Sequence, residues 1–177
     1  AVEKTISGGN YTVTNADFTS STNENGSTIN LSGNTITVTV PNKKLSGEYR
    51  LKLVKKDADT QESLSGAVFS VKINDGPAKN YTIGQDGTIT LDPITITETG
   101  IDTITIEEIT PPTGYNSMIG TIILEVTKTL SGSSYVVSDI EFSEESQGNG
   151  TEANLSGGVI TVTIPNKKQG GSYDLQI

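Results

Sequence analysis

The sequence predicts an all-β fold, a β-sandwich, and three observations carry that expectation. Apolar and polar residues alternate with a period of two through much of the chain, the signature of strands with one buried face. Clusters of turn-forming residues fall between the alternating runs. No segment shows a convincing 3.6-residue apolar period between recognisable caps, as an amphipathic helix requires. Many short strands at regular spacing point to a sandwich.

The runs can be taken in order. Thr35-Ile36-Thr37-Val38-Thr39-Val40, Ala67-Val68-Phe69-Ser70-Val71, Thr88-Ile89-Thr90-Leu91, Thr103-Ile104-Thr105-Ile106 and Val159-Ile160-Thr161-Val162-Thr163-Ile164 all alternate. Thr, Val and Ile suit a pleated, half-buried surface. Asn74-Asp75-Gly76-Pro77, Gln85-Asp86-Gly87, Pro111-Pro112-Thr113-Gly114 and Asn149-Gly150 supply the turns.

Composition narrows the function. The 177 residues are 32% hydrophobic and only 5% aromatic, enough for a thin core. A net charge of -9 repels phosphate backbones, so no nucleic-acid partner is expected. Cysteine and histidine are both absent, which excludes disulfides, thiol catalysis, His-based triads and zinc held by Cys or His. No metal or cofactor is expected. No apolar run is long enough to span a membrane. Neither a signal peptide nor a sorting tail is read, as expected of processed ends or an excised segment.

The chain repeats itself. Residues 1–53 align without a gap to residues 125–177, and 25 of the 53 pairs are identical. Leu31 through Lys44 recurs as Leu155 through Lys168, and Tyr11 and Phe18 recur as Tyr135 and Phe142. A tandem-repeat fragment follows as the expectation: 1–44 as the C-terminal part of a preceding unit, 45–168 as one complete unit, and 169–177 as the first strand of the next. Neighbouring repeats are then the expected partners. Residues 1–44 would lack their partner strands, which leaves open edges for self-association.

Three polar residues fall on apolar strand faces. Lys55 shares parity with Leu51 and Leu53, Glu108 with Ile104 and Ile106, and Asn166 with Ile160, Val162 and Ile164. Pro165 makes the Asn166 placement the least secure of the three. Burying an unpaired charge is costly, so desolvation favours a neutral amine and a neutral carboxyl. A neutral amine is a nucleophile, and a protonated carboxyl beside a carboxamide can polarise it and shuttle protons. The product would be a Lys55–Asn166 amide, with loss of ammonia. Singly, each placement has an ordinary alternative: strand-end lysines snorkel to water, and Pro-Asn commonly marks a turn.

Leu51-Lys52-Leu53-Val54-Lys55-Lys56-Asp57 followed by Leu64-Ser65-Gly66-Ala67-Val68-Phe69-Ser70-Val71 resembles the opening of the Cna-B or SpaA-like modules of Gram-positive surface proteins and pilins. Ile104 through Tyr115 is similar to their E-box segment, a Glu followed by a Pro-containing turn and Gly-Tyr, and Val162 through Lys167 to their closing strand. The resemblance covers residues 49–168. It implies a prealbumin-like or immunoglobulin-like β-sandwich with a self-formed isopeptide bond. The lysine would be Lys55, the catalytic acid Glu108 and the asparagine Asn166. It also implies an extracellular, cell-wall-attached stalk or pilus-shaft module, not an enzyme that turns over substrate. An adhesin domain binding a host protein or glycan through its loops is the second reading. The segment between Tyr115 and Asn166 is long for the family, with an added Ser/Gly-rich stretch at 143–158. Asn42, the repeat counterpart of Asn166, is not expected to cross-link within the chain.

Weaker signals carry less. Asn10, Asn25, Asn30, Asn80, Asn149 and Asn154 open glycosylation-type triplets of the kind that arise by chance in so Asn/Ser/Thr-rich a chain. The acidic spacing at Asp57 and Asp59 lacks the turn glycine of a calcium loop, so a plain turn is expected there. Glu144, Glu145 and Glu152 read as a solvated loop.

Overall fold

The computed structural model describes residues 1–19, 26–118, 120–146 and 150–171, so Asn25, Asn149 and most of the strand expected over 169–177 lie outside the described residues. The chain divides into two compact units, Ala1–Lys44 and Leu45–Ile177.

The first unit contains two antiparallel hairpins, β1 (Val2–Ser7) with β2 (Asn10–Ala16), and β3 (Thr28–Ser32) with β4 (Thr35–Thr39). Gly8 and Gly9 close the first at φ of 60° and 83°, backbone that the two-residue hairpin turn demands and that glycine adopts without strain.

Among its described residues the second unit holds ten strands: β5 (Gly47–Asp57), β6 (Val68–Ile73), β7 (Lys79–Thr82), β8 (Thr88–Thr90), β9 (Ile94–Ile96), β10 (Gly100–Thr110), β11 (Ile122–Ser131), β12 (Ser134–Phe142), β13 (Glu152–Ser156) and β14 (Val159–Asn166). They form a sandwich. One sheet runs β12-β11-β10-β6-β7, the other β13-β14-β5-β8, with β9 also paired to β5. The alternating runs place Leu51, Leu53, Ile160, Val162 and Ile164 inward from one sheet, and Phe69, Ile104, Ile106, Ile122, Leu124 and Val126 inward from the other, all buried.

The first and last strands of this unit, β5 and β14, are parallel neighbours, with Ile164 opposite Lys55 and Asn166 opposite Asp57. Pro165 does not end β14. The pairing with β13 stops at Thr163, so Pro165 sits where β14 is an edge on that side and a missing N–H is tolerated. β5 starts hard against β12: a Cβ on Gly47 would collide with the Tyr135 carbonyl, so a larger residue cannot fit without displacing backbone.

The sequence repeat has a structural counterpart. β1–β2 pairs Glu3 with Asn15 and shifts register before Lys4, just as β11–β12 pairs Thr127 with Asp139 and shifts before Lys128. β3–β4 and β13–β14 likewise share one register, Thr28 with Thr39 and Glu152 with Thr163.

Candidate cross-linking site

The alternation that builds the core also carries polar groups into one end of it. On β5, Leu51, Leu53, Lys55 and Asp57 face inward in succession, and on β14 the same face continues from Ile160 to Asn166. On β10, Glu107 is exposed whereas the Glu108 side chain is fully buried. Lys55, Glu108 and Asn166 therefore meet between the sheets.

The geometry is close. The Glu108 Oε1 lies 3.6 Å from the Lys55 ammonium nitrogen. Asn166 Nδ2 donates to both Glu108 oxygens at 2.9 Å. Lys55 Nζ also donates to the Ile164 carbonyl at 2.9 Å and sits 5.9 Å from the centre of the Phe69 ring. Lys55 is wholly inaccessible to solvent. Burial pushes its pKa down to about 8, against the opposing pull of the Glu108 charge. Asn166 Oδ1 is buried without a hydrogen-bond partner.

Around these groups lies a frame that sequence reasoning did not assign. Asp57 Oδ1 accepts from the backbone N–H groups of Asp59 and Thr60, which makes the expected plain turn, and Oδ2 accepts from the Tyr115 hydroxyl at 2.7 Å. The Met118 N–H donates to Glu108 Oε2 at 2.6 Å. At the other end of the core a second polar cluster surrounds Asp102. Lys128 Nζ is 2.6 Å from its Oδ1, Asn74 Nδ2 donates to the same oxygen at 2.8 Å, and the Tyr49 hydroxyl donates to Oδ2 at 3.0 Å. Asp102 and Lys128 share parity with buried apolar neighbours on β10 and β11, so the same parity signal that singles out Lys55 was available for both.

Residues 49–141 match the family described as the SpaA prealbumin-like fold domain. The chain belongs to this family. The match runs from within β5 to most of β12, and so includes Lys55 and Glu108 but stops short of Asn166. Among solved structures, the SpaA-family chain is similar to the C-terminal fragment of the pilus adhesin SpaC from Lactobacillus rhamnosus GG. The identity is 19% and the TM-score 0.58, over 83% of this chain and 56% of that fragment. A crystal structure of the pilus adhesin SpaC from the same organism matches at 20% identity and a TM-score of 0.52, over 81% of this chain and 18% of SpaC. At such identities the likeness is one of fold. No curated protein matches the chain.

Proposed function

We propose that the chain is a structural module of a Gram-positive surface stalk or pilus shaft, stiffened by an intramolecular isopeptide bond between Lys55 and Asn166. Its chemistry is performed once, on itself. The observation that carries this reading is the meeting of an inaccessible amine, a buried carboxyl and a buried carboxamide on the first strand, a middle strand and the last strand of one sandwich.

The neutral Lys55 Nζ attacks Asn166 Cγ. Glu108 accepts the proton that the amine sheds and delivers it to Nδ2, which both of its oxygens already touch. The Cγ–Nδ2 bond breaks, ammonia leaves, and an Nζ–Cγ amide remains. Turning the carboxamide over would bring Oδ1 within reach of Glu108 once that carboxyl holds the amine's proton, so that it can polarise the carbonyl before passing the proton to Nδ2.

The bond would close a loop of about 110 residues, worth about 4–5 kcal/mol by loop-entropy reasoning. Its mechanical effect is larger. Force entering at β5 and leaving at β14 would pass through a covalent link between neighbouring parallel strands, bypassing the hydrogen bonds of the rest of the sandwich. A cysteine-free surface protein gains by this route a staple that needs no oxidant. The repeat supports a tandem array in which 1–44 closes a preceding unit, with neighbouring repeats as partners and the cell surface as location.

Intact-mass measurement tests the reading. The wild-type chain is expected to be lighter than its sequence by one ammonia, and Glu108→Ala to recover the full mass. Peptide mapping should join the peptide holding Lys55 to the one holding Asn166. A wild-type chain of unmodified mass overturns the reading.

A further inference from the structure

The three reacting side chains come from three strands, and amide formation needs them placed to within a fraction of an ångström. Attack requires the amine about 3–3.5 Å from the carbonyl carbon, and a displacement of about 1 Å costs on the order of a hundredfold in rate. The loop that leaves β10, residues 111–118, is bonded to all three supports. Its Met118 N–H holds Glu108 Oε2 at 2.6 Å. The Asn116 N–H donates to the Lys167 carbonyl at 3.0 Å, and the Gln169 N–H donates to the Gly114 carbonyl at 2.8 Å. These bonds fix the chain just beyond Asn166. Gln169 Nε2 adds a bond to the Tyr115 carbonyl at 3.1 Å. Among the described residues, the side-chain bond from this loop to β5 is the one from the Tyr115 hydroxyl to Asp57 Oδ2, at 2.7 Å.

Asp57 suits that purpose. It lies two residues beyond Lys55 on the same face and pairs in register with Asn166. The N–H of the next residue, Ala58, donates to the Asn166 carbonyl at 2.9 Å. Its Oδ1 is engaged by the turn over Asp59 and Thr60, which leaves Oδ2 for Tyr115. A hydrogen bond to a carboxylate is stronger than a neutral one, and Asp57 is 4% exposed.

We propose that Tyr115 is a positioning residue for the ligation: its hydroxyl, bonded to Asp57, ties the strand end that carries Lys55 to the loop that already holds Glu108 and the end of β14. Tyr115 touches no reacting atom. It sets the distance between them. The inference rests on the reading of Lys55, Glu108 and Asn166 as the reacting groups.

The test follows bond formation in the full chain, made by cell-free synthesis and sampled over time by intact mass. Tyr115→Phe, which removes one oxygen and keeps the ring, is expected to lose ammonia about tenfold to a hundredfold more slowly than wild type. Asp57→Ala is expected to be slowed similarly. The double variant is expected to be no slower than Asp57→Ala alone, because both substitutions cut the same bond. Circular dichroism of Lys55→Met/Tyr115→Phe, which cannot ligate, is expected to show a folded sandwich at the assay temperature. Ligation of Tyr115→Phe at the wild-type rate overturns the proposal. So do additive slowing in the double variant and slowing that coincides with an unfolded Lys55→Met/Tyr115→Phe. A wild-type chain that keeps its full mass instead removes the cross-link reading itself, and this inference with it.

Discussion

At the scale of single residues, the two buried lysines of the sandwich are held in opposite ways. Lys55 has no exposed atom, and burial lowers its pKa to about 8. Lys128 keeps a tenth of its side chain accessible and lies 2.6 Å from Asp102, whose carboxylate also receives bonds from Asn74 and Tyr49. Those donors hold the Asp102 pKa below its usual value against the opposing effect of burial, so this cluster is a settled ion pair. The difference predicts a pH dependence. Since only the neutral amine attacks, bond formation in freshly made chain should rise with pH up to about 8 and level off above it, with a slope of about tenfold per unit well below that value. Mass sampling in buffers from about pH 6 to about pH 9 measures this, and a rate flat across that range would count against amine attack as the controlling step. The inward parity of Lys55, Glu108 and Asn166 was legible because alternation on a strand records which face each side chain takes. The Tyr115–Asp57 bond was not legible. It depends on where a loop folds back after β10, and loop closure leaves no period in the sequence.

At the scale of elements, β10 carries a carboxylate at each end of its buried face, Asp102 and Glu108, with Ile104 and Ile106 between them. The apolar pair fills the core, and the acids close it at either end by drawing in a lysine and an asparagine apiece. The ion-pair end should make the fold acid-sensitive. A carboxyl whose folded pKa lies below its unfolded value adds stability that is full above the ordinary carboxylate range and is lost as pH falls through the folded value. Asp102→Asn should remove this contribution and leave Lys128 facing no counter-ion, at a cost of about 3 kcal/mol near neutral pH. Urea titration in the Lys55→Met background, where no covalent link masks the loss, measures it. The variant's stability should also change less between neutral and acid pH than that of its parent. The strand β14 shows where sequence reading is weakest: Pro165 makes Asn166 the least secure placement, yet the strand runs through Asn166 because β13 has already ended beside it. Neighbour strands, which the local sequence does not show, decided that boundary.

At the scale of the whole molecule, two copies of one sequence pattern sit in unlike surroundings. Val126, Val162 and Ile164 are fully buried in the second unit, whereas their repeat counterparts Val2, Val38 and Val40 are 47%, 53% and 65% exposed. The described residues of 1–44 form the hairpins that correspond to β11–β12 and β13–β14, and among them no strand corresponds to β5 or β10. Isolated hairpins are marginal in water without further strands to cover an apolar face, and segments with few buried contacts open most readily. Brief thermolysin treatment of the native chain should therefore cut within 1–44 first and leave a fragment beginning near Leu45 that retains the ammonia deficit. Asn42, whose own unit supplies no lysine strand, should leave with the released peptides unmodified. The repeat makes this outcome informative in either direction. If residues 1–44 resist as long as the sandwich does, their exposed valines are covered in solution, and size-exclusion chromatography across a concentration series should then show the chain associating through that unit. If they are released as expected, closing strands supplied by a neighbouring repeat are what would turn those hairpins into a second sandwich, and a longer segment containing two full units should lose two ammonia molecules.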